Sequence, residues 1–368
     1  VRRAAPGTPP ARSPLDAWLA SRLSLAGDAP SPDDLAAWHL AALRRTIAHA
    51  RDKSPFYRKK LAHLPGDFPG ALTDMAACPC TLPAELRGDH RPFLCVPLGE
   101  VEHMVTLATS GSTGPAKRLA FTAADLESTL DFFRHGMAAF TDPGDTVLIV
   151  LPAPRVAELL STALARFGAR GVAGSLLARQ GTQDAPRLDP VTAFCRDVAM
   201  ARPRVLVAAP YQLARIVADP DACDAVRGRL AAVLSSGEPL SPELRRIVEA
   251  RLGCVVFDHY GLTETGFGGG VECAAHAGYH LREADLYCEI VDPATGQPLP
   301  EGATGEVVVT TLFRQAMPLV RYRTGDAAAM LPGPCPCGGP LRRLGPVAGR
   351  YDEKGRIIVP KKGGAGAS

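Results

Sequence analysis

Leu35, Trp38, Ala42, Leu43 and Ile47 hold one apolar face at helical spacing. The signal that opens this helix stands just ahead of it. Ser31-Pro32-Asp33-Asp34 offers a capping hydroxyl, a proline at the first helical position and acids in the first turn. Pro55-Phe56-Tyr57 is expected to end it. A short helical stretch lies near Leu15 to Leu23, and a second short helix is predicted to begin at Leu82-Pro83-Ala84-Glu85-Leu86. His103 to Leu107 and Arg118 to Phe121 read as strands on either side of a polar loop. Thr122 followed by Asp125 then caps a helix that runs to about Phe140.

Beyond that point short apolar runs alternate with helical ones. Thr146-Val-Leu-Ile-Val-Leu151 is apolar throughout and bounded by prolines and glycine, the pattern of a strand buried on both faces. A helix from about Val156 to Phe167 follows, then Gly168 to Gly174. The pattern repeats with Val205 to Ala208, a helix from Tyr211 to Val217, Leu230 to Leu234, a helix between Ser241 and Gly253, and Cys254 to Phe257. This alternation predicts an α/β fold with a mainly parallel sheet covered by helices on both faces. From Tyr287 the style changes: Cys288 to Val291, a turn at Asp292-Pro-Ala-Thr-Gly296 and Gly305 to Thr311 read as antiparallel strands of a small distorted barrel. In parallel sheets ligands sit beyond the carboxyl ends of the strands. Ser235-Ser-Gly-Glu-Pro239 and Asp258-His-Tyr-Gly-Leu-Thr-Glu264 occupy such places.

Composition narrows the function classes. Of 368 residues, 41 are Lys or Arg and 38 are Asp or Glu, a net charge of +3 that gives no footing for nucleic acid or an acidic membrane surface. No apolar run approaches the roughly 18–20 residues of a membrane span, and Val1-Arg-Arg-Ala-Ala-Pro lacks the apolar core of a secretory signal. Ten cysteines in a chain of this length do not read as a disulfide framework, so a reducing, cytoplasmic compartment is expected.

The candidate chemistry centres on Thr106-Leu-Ala-Thr-Ser-Gly-Ser-Thr-Gly-Pro-Ala-Lys-Arg118. Glycines let backbone N–H groups turn toward a ligand, hydroxyls add short donors and a lysine adds a point charge, a set suited to a polyphosphate. It is not a Walker A loop, because no Gly-Lys-Ser/Thr closes it. With it stand Ser236-Gly237-Glu238, Tyr260-Gly261-Leu-Thr263-Glu264 and Tyr322-Arg-Thr-Gly-Asp326. Together they complement ATP. An aromatic ring beside glycine can lie against adenine, Asp326 can accept from ribose hydroxyls, Thr263 can donate to the α-phosphate, and Glu264 is a hard oxygen ligand suited to Mg²⁺.

These motifs resemble the adenylate-forming superfamily and, within it, the phenylacetate–CoA ligase branch. The resemblance rests on Ser54-Pro-Phe-Tyr57, Tyr260-Gly-Leu-Thr-Glu264, Glu272-Cys273, Gly278-Tyr-His-Leu-Arg-Glu-Ala-Asp285, Glu289-Ile-Val-Asp-Pro293, Arg321-Tyr-Arg-Thr-Gly-Asp326 and Gly349-Arg350-Tyr-Asp352, in family order over roughly residues 35–353. It implies ATP-dependent activation of a small, aromatic carboxylic acid as acyl-adenylate and transfer to coenzyme A, with Mg²⁺. Thr109, Ser110, Gly111, Ser112, Thr113, Gly114 and Lys117 would hold the β- and γ-phosphates, and Tyr260 would stack on adenine. Thr263, Glu264 and Lys117 would be the catalytic set. Ser236, Gly237, Glu238, Asp258, His259, Gly261 and Asp326 would complete the nucleotide site. His259 is expected to face the acyl pocket, lined from the helix in the 130s, Pro210-Tyr211 and Tyr260 to Gly270. Arg350 would reach ribose or phosphates, with a structural salt bridge as the alternative.

The resemblance divides the chain into an N-terminal extension (1–30), an adenylation domain (31–350, with a barrel-like part from about 285 to 350) and a disordered tail (351–368). Family members carry a small C-terminal lid after Gly-Arg-x-Asp. Here 18 residues follow Arg350, so the fold is expected without that lid. The alternatives are therefore a nucleotide- or adenylate-binding protein without turnover and an adenylyl transferase acting on a cofactor hydroxyl. The expected partners are the acid, ATP and coenzyme A, without nucleic acid or membrane, and a homodimer stays open beside a monomer.

A second constellation is separate. Cys335-Pro-Cys337-Gly338-Gly339 is a tight knuckle that leaves two sulfurs on one side, and tetrahedral Zn²⁺ wants four N/S ligands. Cys273 and His280 would complete a structural Cys₃His site, with His276 as the rival ligand.

Overall fold

The computed structural model describes residues 12–25, 27, 29–107, 116–174, 189–352 and 355–359. Helices α1 (Pro14–Arg22), α2 (Pro32–Lys53) and α3 (Pro55–Lys60) come first. The side chain of Ser31 accepts from the Asp34 amide while the Asp34 carboxylate accepts from Ser31, closing a capping box on α2. Pro55 does more than end α2. Ser54 terminates that helix and at once caps α3 through the Tyr57 amide, so one serine makes a corner between two helices. Leu82 to Leu86 is a turn rather than the predicted helix. Five residues are too few to repay helix nucleation, and the flanking Thr81 and Arg87 are drawn into bridges with Tyr322 and Lys117.

Strands β1 (His103–Leu107) and β2 (Lys117–Phe121) pair antiparallel. Helix α4 (Ala123–Met137) follows, capped by Thr122 as its sequence predicts. Strands β3 (Thr146–Ile149), β4 (Arg170–Ala173), β5 (Val205–Ala208), β6 (Ala232–Ser236) and β7 (Val255–Tyr260) are joined by α5 (Pro154–Phe167), α6 (Pro190–Ala201), α7 (Pro210–Ala218), α8 (Pro220–Val226) and α9 (Pro242–Leu252). These five strands are parallel in the order β4-β3-β5-β6-β7. Their side chains alternate between two cores. Val147, Ile149, Val207, Leu234 and Phe257 pack with α4 and α5, while Leu148, Leu206, Val233 and Val256 pack with α6 to α9. Helices α6 and α8 had no counterpart in the apolar pattern.

The sheet continues past β7 in antiparallel fashion. Strands β8 (Gly270–Glu272), β9 (Tyr279–Leu281), β10 (Leu286–Val291), β11 (Thr304–Thr311), β12 (Tyr322–Leu331) and β13 (Arg343–Leu344) extend it in the order β7-β8-β9-β13-β12-β11-β10. Strand β14 (Gly349–Tyr351) pairs with β12, and β15 (Ile357–Ile358) with β14. The fold is thus α/β with one mixed sheet flanked by helices. No separate lid follows β14 among the described residues.

Two features carry the site. Helix α4 is bolted to the loop after β11, because the Asp125 carboxylate accepts from the Thr122, Gln315 and Ala316 amides. Helix α1 packs its Leu15 and Leu19 into the main core, and the Trp18 indole N–H donates to Asp131 on α4 at 2.6 Å. No helix among the described residues is long and apolar enough to cross a membrane.

Candidate nucleotide and acyl site

The carboxyl ends of β6 and β7, the start of β2 and the first half of β12 meet in one place. Alternation along β12 turns Tyr322, Thr324 and Asp326 to the same side. The Lys117 ammonium forms an ion pair with Glu264 and lies 3.2 Å from the Tyr322 hydroxyl, which donates to the same Glu264 oxygen at 2.9 Å. Arg314 donates to the Glu264 carbonyl at 2.7 Å and fixes the turn that presents the carboxylate. Burial would raise the Glu264 carboxyl, but Lys117, with Tyr322, overrides it and holds the group below the usual carboxylate range.

Beside this network stands a second one. The Tyr260 hydroxyl donates to Asp326 at 3.0 Å, and Arg350 pairs with the other Asp326 oxygen at 3.0 Å. Here burial wins: the Asp326 carboxyl is raised although Arg350 opposes the shift. The structure therefore gathers Lys117, Glu264, Tyr260, Asp326 and Arg350, five residues singled out in the sequence, in one place. Arg350 is at once a salt-bridge partner and a neighbour of the site. The Tyr260 ring is 7% exposed, packed against Tyr279 and over Gly269. Thr263 opens the turn ahead of Glu264, and Gly237 and Glu238 lie exposed past the end of β6. Thr109, Ser110, Gly111, Ser112, Thr113 and Gly114 lie outside the described residues. Tyr322 and Arg314, which hold Glu264, were not singled out as site residues. The alternation of β12 signals Tyr322, whereas nothing local signals Arg314.

Successive residues of β7 have different surroundings. Asp258 is buried, and its carboxylate accepts from the Tyr279 hydroxyl at 2.7 Å and the His259 amide at 3.1 Å. Burial pushes its carboxyl up to about 7. His259 borders an apolar cavity of about 30 Å³. Its Nδ1 lies 3.0 Å from the Ser236 hydroxyl, and its Nε2 is buried without a hydrogen-bond partner among the described residues. Phe132, Phe133, Gly136, Met137 and Phe140 of α4 line that cavity, with Phe267 and Val271 from beyond the Glu264 turn. Pro210 and Tyr211 are not among its lining. Tyr211 lies on the outer side of α7 at 37% exposure, and Val156 and Leu160 of α5 take the expected place. Gly261 is required here, since a Cβ would sit 2.7 Å from His259 Cε1.

Cys273, His280, Cys335 and Cys337 converge between the β8–β9 connection and the segment after β12, their ligand atoms within 4.8 Å of one another. Cys273 and Cys335 sulfurs are 3.7 Å apart, and Cys337 Sγ is 3.6 Å from His280 Nε2. Zinc bonds near 2.3 Å to sulfur and 2.0–2.1 Å to nitrogen imply tetrahedral S···S and S···N edges of roughly 3.8 and 3.5 Å. The four residues fit such an ion. Burial lowers the His280 imidazole to about 4, which leaves it neutral as a ligand must be. His276 is excluded from the cluster because its Nδ1 lies 3.2 Å from Glu272 and 3.3 Å from Arg245.

Asp258 yields a test by pH. Its carboxyl is raised in the fold, so between about pH 4 and 7 the native chain keeps a proton that the unfolded chain has lost, and stability falls as pH rises. Removing the group with Asp258→Asn is expected to abolish that decline. Urea unfolding from pH 5 to 7 should show the variant gaining on the wild type by up to about 1.4 kcal/mol per pH unit. Parallel curves contradict the assignment.

Residues 83–313 match the AMP-binding enzyme family. The phenylacetate-coenzyme A ligase of Pseudomonas putida is 32% identical over 329 residues, covering 88% of this chain and 72% of that protein. Its counterpart from Thermus thermophilus is 31% identical over 320 residues, covering 84% and 69%. Among solved structures, 2-hydroxyisobutyryl-CoA ligase in complex with 2-HIB-AMP and CoA superposes with a TM-score of 0.74 at 22% identity, over 88% of this chain and 69% of that one. This last likeness is one of fold. The chain belongs to the AMP-binding enzymes and is related, within their adenylate-forming fold, to the phenylacetate–coenzyme A ligases.

Proposed function

We propose that this chain activates a small aromatic carboxylic acid with ATP and passes the acyl group to coenzyme A. A carboxylate oxygen attacks the α-phosphorus, the bond from that phosphorus to the bridging oxygen of the β-phosphate breaks, and pyrophosphate leaves. The thiol sulfur of coenzyme A then attacks the acyl carbon, AMP departs with the carboxylate oxygen, and the thiol proton is released. The observation that carries this reading is the meeting of two carboxylate networks, Lys117–Glu264–Tyr322 and Tyr260–Asp326–Arg350, at the ends of the parallel strands.

Each network has a role in the reading. Asp326 accepts from the ribose hydroxyls, and Tyr260 holds Asp326 while its ring borders the adenine. Thr263 donates to the α-phosphate. Lys117 moves from Glu264 onto the phosphates when the nucleotide enters, and residues 109–114, outside the described set, take the β- and γ-phosphates. Glu264, released from Lys117, would hold Mg²⁺, which would neutralise phosphate charge there. Ser236, Gly237, Glu238, Asp258 and Gly261 shape the floor beneath the nucleotide. Phe132, Phe133, Phe140 and Phe267 give the acyl cavity its aromatic wall.

The cluster Cys273, His280, Cys335 and Cys337 would hold a structural Zn²⁺. Such an ion ties the loop after β12 to the β8–β9 hairpin, and four protein ligands leave no open position for catalysis.

Two measurements test these assignments. Acid-dependent exchange of pyrophosphate into ATP, with Mg²⁺ present, is expected for aromatic acids and should fall by at least about 100-fold in Asp326→Ala and in Lys117→Ala, as loss of charged transition-state contacts does. Absence of exchange across an acid panel, or an unaltered rate in both variants, rules the ligase reading out. Elemental analysis should find about one zinc per chain, lost in Cys335→Ser/Cys337→Ser, with a lower melting temperature on chelation. A zinc-free chain that melts at the same temperature with and without chelator contradicts the metal assignment.

A further inference from the structure

The acyl cavity is not uniformly apolar. Twelve of its lining residues are apolar or glycine, from Phe132 to Val271, but His259 and Ser236 also border it. The two are paired through Nδ1 and the serine hydroxyl at 3.0 Å. That leaves His259 Nε2, a buried nitrogen with no hydrogen-bond partner among the described residues. A buried polar atom without a partner is destabilising, and a native fold that retains one beside a ligand cavity has a reason to be sought. Packing does not supply it. The ring already forces a glycine at position 261, where a Cβ would lie 2.7 Å from Cε1, and an apolar side chain would fill the same space without an orphaned nitrogen. The cavity wall is apolar and aromatic apart from this pair, which suits the ring of an acid and not a triphosphate.

We propose that the cavity selects an aromatic carboxylic acid bearing a hydroxyl on its ring, and that His259, oriented by Ser236, reads this hydroxyl. The proposal rests on the ligase reading above for the identity of the cavity as the acyl site. The choice of a hydroxyl follows from the pair's chemistry. If the serine hydroxyl donates to Nδ1, Nε2 carries the proton and needs an acceptor. If Nδ1 donates to the serine oxygen, Nε2 is bare and needs a donor. A phenol serves both tautomers, whereas a halogen, methyl or ether serves at most one. Burial lowers the His259 imidazole to about 4, so the ring is neutral near neutral pH and offers a charged substituent no counter-ion. Four phenylalanines around it favour a ring over a short aliphatic chain.

The experiment compares phenylacetate and benzoate with their 2-, 3- and 4-hydroxy forms by kcat/KM in pyrophosphate exchange, and by calorimetric binding of the same acids to the full chain. At least one hydroxylated isomer should exceed its parent by about tenfold or more, the effect of one buried hydrogen bond made or left open. In His259→Leu that ratio should fall to about one, with the parent acid used better than before. Gly136→Ala provides a second variant that keeps the histidine. Its added methyl lies at ordinary contact, 3.5 Å from Val271, and projects into the same cavity, so it should weaken every ring acid. Equal use and equal binding of hydroxylated and parent acids by the wild type overturns the proposal, as does a ratio that survives His259→Leu. Binding that shows the hydroxyl preference without any exchange supports the proposal and sinks only the ligase reading.

Discussion

A carboxylate removed from water must be neutralised by something close at hand. Glu264 stands in the turn after the parallel strand β7 and Asp326 within the antiparallel strand β12, both are buried, and each is held by one cation: Lys117 for the first, Arg350 for the second. Buried ion pairs add little net stability, because desolvation offsets most of the attraction, while loss of one partner costs about 3–5 kcal/mol. Such pairs are therefore poor devices for holding a fold and good ones for holding a site ready. A nucleotide brings its own cationic counter-charge and phosphates, so it can exchange partners with these residues at modest cost. The two carboxyl shifts run in opposite directions: the attraction of Lys117 outweighs burial at Glu264, and burial outweighs the attraction of Arg350 at Asp326.

The rest of the architecture serves to bring these groups together. Lys117 starts β2, Glu264 sits in the turn after β7, and Tyr322 and Asp326 are neighbours but one on the same face of β12. These positions span more than two hundred residues of sequence; the mixed sheet carries Glu264 and β12, and the separate β1–β2 pair brings Lys117 to them. The glycines after Tyr260 have the same purpose at finer scale. A Cβ at Gly268 would lie 2.5 Å from the Phe132 ring, and one at Gly261 would strike His259, so the segment carrying Glu264 can approach α4 only as bare backbone.

Much of this was legible in the sequence. Apolar runs with proline and glycine at their ends marked β3, β5, β6 and β7, and capping residues marked α2, α4 and α9. Glu264 and Asp326 were singled out because a carboxylate in each motif complements Mg²⁺ or the ribose of ATP. Helix α8 was missed because it is only seven residues long, whereas α6 was overlooked although Ala193, Phe194, Val198 and Ala201 are buried along it. The turn at Leu82 to Leu86 was misread because helix propensity was local while the competing bridges to Tyr322 and Lys117 were long-range. The cavity wall was placed on Pro210-Tyr211 rather than on α5 for a related reason: apolar periodicity tells which face is buried and not against what. The choice between His276 and His280 was likewise a matter of tertiary placement, decided by Glu272 and Arg245 holding His276 elsewhere.

The central claim is that a nucleotide takes over the two carboxylate networks. A crystal structure with a non-hydrolysable ATP analogue and Mg²⁺ measures this directly. The account predicts ribose hydroxyls on Asp326 and the Lys117 ammonium moved from Glu264 to a phosphate oxygen. A nucleotide bound elsewhere, with the Lys117–Glu264 pair intact, contradicts it.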